Sequence, residues 1–288
     1  MKLRVCARAK INWALSICGE RPDGYHELDM LMQRIELCDE LSFESARFIT
    51  LKLNGRPASG GERNLVVRAA RALNEALGLN LGARIELKKH IPARAGLGGG
   101  SADCAAALLA LNRLWRLNLP LETLMALGLK LGADVPFCLM SGAARARGVG
   151  ERLQSCPLPG GVPLVLVTPG GGLSTPAVFR AWDECGGPTE PADMPALAAA
   201  LSAGDLRAAQ DLARNDLERP AFALMPEIEA LMARFRALGA PFVRMTGSGS
   251  TVFAAFEREA DARAAAARIP GAVFTRTMPE PGAADETN

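Results

Sequence analysis

The sequence predicts a protein of mixed strands and helices in two domains, and three observations support this prediction. The chain has 288 residues, which is long for one hydrophobic core and comfortable for two. Segments in which apolar and polar residues alternate, as in strands, are interspersed with segments of helical periodicity. Residues 157–163 are rich in proline and glycine, which is typical of a domain boundary. We therefore predict domains over residues 1–156 and 157–288.

The amino-terminal domain is predicted to begin with a long strand over residues 3–17, because every second residue from Val5 to Trp13 is apolar. Asn64 is the expected N-cap of a helix that continues to residue 77, and Ser101 is the expected N-cap of an almost wholly apolar helix over residues 102–115. The other elements predicted here are strands over 31–44, 48–53 and 83–91 and a helix over 121–131.

The carboxy-terminal domain is expected to open with a strand over residues 164–168, followed by a glycine-rich loop and a helix from about Thr175. The remaining predicted elements are helices over 194–203, 206–213 and 226–238, strands over 242–245 and 251–256, a helix over 260–268 and a strand over 272–277.

Composition and charge argue against several classes of protein. The net charge is +2 without a basic block and aromatic residues make up only 5%, so no nucleic-acid surface is expected. The longest apolar run, residues 104–111, is too short to span a bilayer, and the charged first ten residues do not resemble a secretion signal. Seven cysteines without a C-x-x-C pair, together with only two histidines, favour neither a disulfide framework nor a zinc or histidine-rich metal site. We expect a reduced, cytoplasmic compartment.

The segment Ile91–Asp103, I-P-A-R-A-G-L-G-G-G-S-A-D, is the most informative part of the sequence. Glycine lets the backbone bend with positive φ and approach a ligand closely. A helix that starts at such a bend directs free N–H groups and its positive dipole end toward the loop, which suits phosphate. The loop lacks the lysine of a Walker A motif and the third glycine of a dinucleotide fingerprint. From the loop alone, a phosphate site and a simple connector remain equally open.

Several isolated residues each allow a structural and a functional interpretation. Lys10 and Asn12 share one face of the first strand, where Lys10 is either solvated or part of a site. Asp134 stands among apolar residues and is either a turn or N-cap residue or a carboxylate held for chemistry. Tyr25, the only tyrosine, either covers a Pro-Asp-Gly turn or stacks on a flat ring.

Two further glycine-rich runs follow predicted strands, at residues 169–176 and 247–251. A tight turn explains each of them, and so does a second phosphate-side loop. Three such loops in one chain, each leaving a strand, favour a shared anionic ligand.

Several motifs together resemble those of the GHMP kinase superfamily, which includes galactokinases, homoserine kinases and mevalonate kinases. The middle motif of that superfamily is similar to residues 92–102, and its carboxy-terminal motif to M-T-G-S-G-S at 245–250. Within the superfamily the chain is most similar to the branch that phosphorylates an alcohol linked to cytidine diphosphate. The matching stretches are A-K-I-N at 9–12, D-G-Y-H at 23–26, G-L-G-G-G-S-A-D at 96–103, L-G-A-D-V-P at 131–136, G-V-G-E at 148–151 and S-T-P at 174–176.

The resemblance implies roles for individual residues in phosphoryl transfer. Asp134 matches the catalytic base, Lys10 the catalytic lysine, and Asn64 a position at the adenine pocket. Many relatives carry small residues where Arg94 stands, so its contact with phosphate or with solvent is open. The implied ATP phosphate loop comprises Arg94, Ala95, Gly96, Leu97, Gly98, Gly99, Gly100, Ser101, Ala102, Asp103 and Cys104.

The resemblance also implies a site for the alcohol substrate. The cytosine ring would lie between Tyr25 and Phe179, with His26 at its polar edge. Asn12 and Thr175 match residues near the methylerythritol end of the substrate.

As for architecture, the resemblance implies two α+β domains. The first would resemble the second domain of ribosomal protein S5 and the second would be ferredoxin-like, with the active site in the cleft between them.

ATP and Mg²⁺ are the implied cofactors, and Ser101 is a candidate Mg²⁺ ligand. The implied partner is a small molecule, cytidine diphosphate-linked methylerythritol, with no nucleic acid or membrane, and the protein is expected to be a monomer or homodimer. The alternatives are a homoserine- or mevalonate-type kinase, and an inactive relative that binds nucleotide and regulates a partner.

Overall fold

A computed structural model describes residues 2–58, 61–185 and 190–279. The chain forms two compact units that are each discontinuous in sequence. The first two strands, β1 (Lys2–Glu20) and β2 (His26–Ala46), contribute residues to both units and pair with each other. Unit 1 takes its described residues from Met1–Ala9, Leu37–Ile91 and Gly98–Met140, and unit 2 from Lys10–Glu36, Pro92–Leu97 and Ser141–Asn288. The domains predicted from the sequence, residues 1–156 and 157–288, do not coincide with these two units. The limits of the sequence domains stay a prediction.

Unit 1 combines the second half of β2 with strands and a layer of helices. β2 pairs antiparallel with β5, and β5 pairs parallel with β3. Along β5 the side chains alternate as predicted, with Ile85 and Leu87 buried and the intervening charged residues exposed. The elements after β2 are β3 (Thr50–Leu53), β4 (Arg56–Pro57), a 3-10 turn (Gly61–Arg63), α1 (Leu65–Leu77), β5 (Gly82–Lys88), α2 (Gly99–Leu114), α3 (Leu121–Leu131) and α4 (Val135–Leu139).

The start of α1 agrees with the prediction, whereas the start of α2 does not. Asn64 caps α1, because its side chain accepts a 2.9 Å hydrogen bond from the N–H of Val66. The predicted N-cap of α2, Ser101, lies inside the helix, and Gly98 takes the cap position instead. Gly98 has φ +67°, a left-handed conformation that glycine adopts at little cost, so the helix already begins at Gly99.

Unit 2 contains a hairpin on the first half of β2 and a separate four-stranded antiparallel sheet. Residues 28–33 of β2 pair with β6, and β6 pairs with β7. The elements are β6 (Ala143–Gly148), β7 (Arg152–Ser155), β8 (Pro163–Val167), α5 (Thr175–Glu184), α6 (Met194–Ser202), α7 (Leu206–Leu212), α8 (Glu218–Leu224), α9 (Glu227–Ala237), β9 (Phe242–Met245), β10 (Val252–Ala255), α10 (Glu259–Ala267) and β11 (Val273–Arg276).

The four-stranded sheet has the strand order β11-β8-β10-β9. Helices connect β8 to β9 and β10 to β11, while β9 and β10 are joined by a short turn. This is the βαββαβ arrangement of the ferredoxin-like fold, as predicted. The sequence does not predict α8, since the helix is short and Pro220 interrupts its pattern.

Trp13 of β1 lies in the core of unit 2. Its ring meets Phe242 and Phe253 edge-on, at centroid distances of 5.0 and 5.6 Å. Its indole N–H donates a 2.8 Å hydrogen bond to the side chain of Gln33. These contacts fix the strand that also carries Lys10 and Asn12.

No helix in the described part of the chain is long and apolar enough to cross a membrane.

Candidate active site

Lys10 and Asn12 are both buried in unit 2, with 4% and 1% of their surfaces exposed. The Nζ atom of Lys10 donates a 2.7 Å hydrogen bond to Oδ1 of Asn12. The interpretation of Lys10 as a solvated surface residue is therefore wrong. A buried ammonium is costly unless polar groups surround it, so its position marks a polar site within the core.

The hydroxyl group of Thr246 connects Asn12 to the glycine loop. It accepts a 3.0 Å hydrogen bond from the backbone N–H of Asn12 and lies 3.2 Å from the carbonyl oxygen of Gly96. A Cβ atom on Gly96 would lie 2.0 Å from the carbonyl oxygen of Thr246, and Gly96 has φ +75°. The close approach of the two backbones therefore requires glycine at this position.

The first half of the glycine loop, residues 94–97, belongs to unit 2 and is held through its carbonyl oxygens. Four consecutive carbonyls accept hydrogen bonds, three of them from the other two glycine-rich runs or the residues beside them. The donors are the N–H of Leu173 to Arg94 at 3.1 Å, the N–H of Thr251 to Ala95 at 3.2 Å, the hydroxyl of Thr246 to Gly96 at 3.2 Å and the N–H of Lys10 to Leu97 at 3.0 Å. The three glycine-rich runs thus meet in unit 2, and their binding of one anion stays a prediction.

The second half of the loop forms the start of α2 in unit 1. The first N–H groups of a helix have no acceptor within it, and Gly98 has no side chain to cap them. A Cβ atom on Gly99 would lie 2.9 Å from Cγ2 of Ile91, so this turn also depends on glycine. A glycine-rich helix start with uncapped N–H groups is suited to bind phosphate.

The last three residues of the predicted ATP loop direct their side chains into the protein. Ala102, Asp103 and Cys104 are all buried within α2. Contacts of these three side chains with nucleotide are therefore not supported. Only backbone groups of this part of the loop could bind the nucleotide. Arg94 is exposed and has φ +55°, which is uncommon for a residue other than glycine.

Asp103 belongs to a buried ionic group that the sequence does not predict, which we call the Lys89 cluster (Asp39, Lys89 and Asp103). The Lys89 ammonium contacts Asp39 and lies 2.8 Å from Oδ2 of Asp103. Asp39 also accepts backbone hydrogen bonds from His90 and Ile91. Burial raises the pKa of Asp103 to about 7, although the Lys89 ammonium acts against this shift. Oδ1 of Asp103 is buried without a hydrogen-bond partner among the described residues.

Asp134 and Asn64 lie at helix starts in unit 1. Asp134 is half-buried at the N-cap position of α4, but its side chain does not cap that helix. This observation removes the simplest structural explanation for an aspartate at this place. Asn64 does cap a helix, and its role at an adenine pocket stays a prediction.

The residues expected near cytosine lie in unit 2. Tyr25 is 64% exposed, as a residue that stacks on a ligand requires. The ring of His26 stacks on Phe179 at a centroid distance of 4.9 Å and an angle of 24°. Thr175 shares a 2.7 Å hydrogen bond between hydroxyl groups with Ser248 of the third glycine-rich run.

Comparison with known protein families shows which family the chain belongs to. Residues 64–142 match the GHMP kinases N terminal domain, and residues 197–275 match the GHMP kinases C terminal family. The chain belongs to the GHMP kinase family. The predicted family and its α+β fold of two domains are thereby confirmed.

This GHMP kinase has close relatives of known name. It is 47% identical over 271 residues to a 4-diphosphocytidyl-2-C-methyl-D-erythritol kinase of Rhizobium johnstonii, covering 91% of this chain and 87% of the relative. A protein of the same name from Pelotomaculum thermopropionicum is 45% identical, with 93% and 94% covered. A crystal structure of 4-(cytidine 5'-diphospho)-2C-methyl-D-erythritol kinase superposes with a TM-score of 0.83 at 41% identity, covering 97% of this chain and all of that one.

More distant GHMP kinases share the fold alone. A homoserine kinase from Cytophaga hutchinsonii superposes with a TM-score of 0.74 at 19% identity, over 97% of this chain and 95% of that one. A mevalonate kinase from L. major superposes with a TM-score of 0.71 at 16% identity, over 97% of both chains. Both structures are less similar to this GHMP kinase than the kinase of the cytidine-linked alcohol.

One segment that supports the site of this GHMP kinase is not predicted from the sequence. Asn215 donates hydrogen bonds of 2.8 and 2.9 Å to the carbonyl oxygens of Met245 and Gly247, the residues on either side of Thr246. The next residue, Asp216, accepts a 2.8 Å hydrogen bond from the N–H of Ile17 in β1. The polar run Arg214–Asp216 is visible in the sequence, but its partners are far away along the chain.

Proposed function

We propose that this GHMP kinase transfers the γ-phosphoryl group of ATP to the 2-hydroxyl group of 4-diphosphocytidyl-2-C-methyl-D-erythritol, in the non-mevalonate route to isoprenoid precursors. The similarity to kinases of that name over more than nine-tenths of the chain carries the proposal. The buried Lys10 and Asn12 and the uncapped helix start at Gly98 support it, because phosphoryl transfer depends on positioning and on stabilisation of charge.

The glycine loop would bind the phosphates of ATP through backbone N–H groups of residues 98–101, aided by the positive end of α2. No group of three or more His, Cys, Asp and Glu side chains among the described residues forms a metal site. Such a loop fits Mg²⁺ that is bound largely by phosphate oxygens, with the hydroxyl of Ser101 as the candidate protein ligand. When bound, Mg²⁺ neutralises charge on the β and γ phosphates.

Asp134 would accept the proton of the substrate hydroxyl as the bond to phosphorus forms. Lys10 would stabilise the negative charge that develops on the attacking oxygen. The hydrogen bond from Lys10 to Asn12 holds the ammonium in one orientation, so that little reorganisation is needed during the reaction. Without both side chains an inactive, nucleotide-binding relative would be the better interpretation.

Unit 2 would bind the cytidine end of the substrate. The exposed ring of Tyr25 and the ring of Phe179, which also stacks on His26, would take the two faces of cytosine, and His26 would contact its polar edge. Asn12 and Thr175 would lie near the methylerythritol end. Oligomeric state and cytoplasmic location remain predictions.

A coupled assay of ATP consumption tests the proposal. The purified protein is given 4-diphosphocytidyl-2-C-methyl-D-erythritol, homoserine or mevalonate, each with and without Mg²⁺. We expect turnover with the cytidine-linked alcohol alone, dependent on Mg²⁺. Turnover of homoserine or mevalonate in preference would favour the alternative kinases, and no turnover with any alcohol would contradict the proposal.

A further inference from the structure

The imidazole of His26 is held in one orientation by three residues of the same helix, α5. Phe179 stacks on the ring, and Trp182 meets it edge-on at a centroid distance of 5.2 Å. Asp183 lies with Oδ1 2.7 Å from Nε2 of His26. The His26 side chain is only 11% exposed, whereas Asp183 is half exposed. The ring therefore has little freedom to turn, and its Nε2 atom faces a carboxylate.

This contact determines which nitrogen of the neutral ring carries the proton. A carboxylate only accepts hydrogen bonds, so Nε2 of His26 must be the N–H donor to Asp183. In neutral imidazole the other nitrogen then has a lone pair and acts as an acceptor. Within residues 2–58, 61–185 and 190–279, Nδ1 of His26 has no hydrogen-bond partner, so this acceptor is available to a ligand.

We infer that Asp183 is a positioning residue that makes Nδ1 of His26 an acceptor and thereby selects cytosine over uracil. Cytosine carries an amino group, a donor, at the ring position where uracil carries a carbonyl oxygen, an acceptor. An acceptor on His26 can bind the amino group and is repelled by the carbonyl oxygen. The inference rests on the proposed function, in which His26 faces the polar edge of the base.

The first experiment observes the tautomer directly and needs no substrate. The chain has only two histidines, so a protein labelled with ¹⁵N-histidine gives two ring systems, and a His90→Gln variant assigns them. In the wild type we expect the neutral ring of His26 to carry its proton on Nε2, hydrogen-bonded to Asp183. In Asp183→Ala we expect a mixture of the two tautomers.

The second experiment measures base preference with the diphosphocytidyl substrate and its uridine analogue. In Asp183→Ala we expect the KM for the cytidine substrate to rise about three- to tenfold, with kcat at saturation nearly unchanged, and the preference for cytidine over uridine to fall by a similar factor. Glu184→Ala is the control, because it removes the neighbouring exposed carboxylate of the same helix, which does not contact His26.

The outcomes separate the inference from the proposed function. An active wild type whose base preference and His26 tautomer are the same in Asp183→Ala overturns the inference alone. An equal loss of base preference in Glu184→Ala also overturns it, since the effect would then be one of general charge. A wild type that does not phosphorylate the cytidine substrate overturns the proposed function and the base selection with it, while the NMR result still decides whether Asp183 sets the tautomer.

Discussion

The hydroxyl oxygen of Thr246 lies 3.2 Å from the carbonyl oxygen of Gly96, which joins the turn after β9 to the predicted phosphate loop. The same hydroxyl accepts a hydrogen bond from the backbone of Asn12, two residues from Lys10. The position of Lys10 and the path of the loop are thus coupled through one side chain. The following predictions test this arrangement and the roles proposed for its neighbours.

The contact between Gly96 and Thr246 predicts a large effect of Gly96→Ala. A Cβ atom at this place would lie 2.0 Å from a backbone oxygen, so the loop must shift. We expect the KM for ATP to rise by about tenfold or more, since positioning errors of an ångström are costly in catalysis. Gly204→Ala is the matched control, because Gly204 has a similar φ of +73° but nothing within 4 Å of its Cβ position. An equal effect of both variants on KM would contradict the prediction.

Asn215→Ala is predicted to impair both stability and turnover. The variant leaves the carbonyl oxygens of Met245 and Gly247 without their donor in a buried place, which costs about 1–3 kcal/mol of unfolding free energy. Because these carbonyls bracket Thr246, kcat should fall as well. The control Gln210→Ala removes a side-chain contact to Val243 in the same strand, β9, away from the turn. Urea denaturation and steady-state kinetics should show destabilisation in both variants and reduced kcat only in Asn215→Ala.

Tyr25→Ala is predicted to act on the cytidine substrate alone. The side chain is largely exposed, so its removal should leave the unfolding midpoint unchanged. Loss of a stacking surface should weaken binding of the cytidine-linked substrate by about 1 kcal/mol or more, while ATP binding is retained. Isothermal titration with each ligand checks this prediction, and an equal loss of affinity for both ligands would count against it.

The Lys89 cluster predicts that stability falls as the pH rises toward neutrality. Burial raises the pKa of Asp103 from 3.8 to about 7 in the folded protein. Between these two values the folded protein retains a proton that the unfolded chain has released, so ionisation of the unfolded chain favours unfolding. Below the lower value both forms are protonated, and above about 7 the loss of stability is complete.

Asp103→Asn tests this pH dependence, because asparagine resembles the protonated carboxyl group. Thermal unfolding of both proteins is measured from about pH 4 to pH 8. The wild type should lose stability relative to the variant as the pH rises through this range, and the difference should level off at the upper end. A constant difference between the two proteins across the whole range would refute the raised pKa.

Much of the local structure can be predicted because it depends on neighbouring residues. The cap at Asn64 and the limits of the strand Phe242–Met245 follow from short patterns of polar and apolar residues. The start of α2 cannot be predicted in this way, since Gly99 and Gly100 disfavour a helix by propensity. Glycine is accepted at Gly99 because a Cβ atom there would lie 2.9 Å from the side chain of Ile91.

In the candidate site, too, sequence patterns predict some features, whereas others depend on contacts between residues far apart in the chain. The motif resemblance predicts Lys10, Asp134 and the loop as site residues, and their roles stay predictions. The contact between Asn215 and Met245 and the Lys89 cluster join residues far apart in sequence, and no spacing rule predicts them. The four hydrogen-bonded carbonyls of residues 94–97 are equally invisible to sequence patterns, since backbone groups are the same in every residue.

The most direct test of the proposed mechanism is a single-turnover measurement of phosphoryl transfer in Asp134→Asn, with saturating ATP, Mg²⁺ and 4-diphosphocytidyl-2-C-methyl-D-erythritol. Asparagine has nearly the same size and shape as aspartate, so the variant should fold and bind both substrates. We expect the rate of transfer to fall by about 10²-fold or more, as for the loss of a general base. A variant that transfers phosphate at the wild-type rate would contradict the assignment of Asp134 as the base.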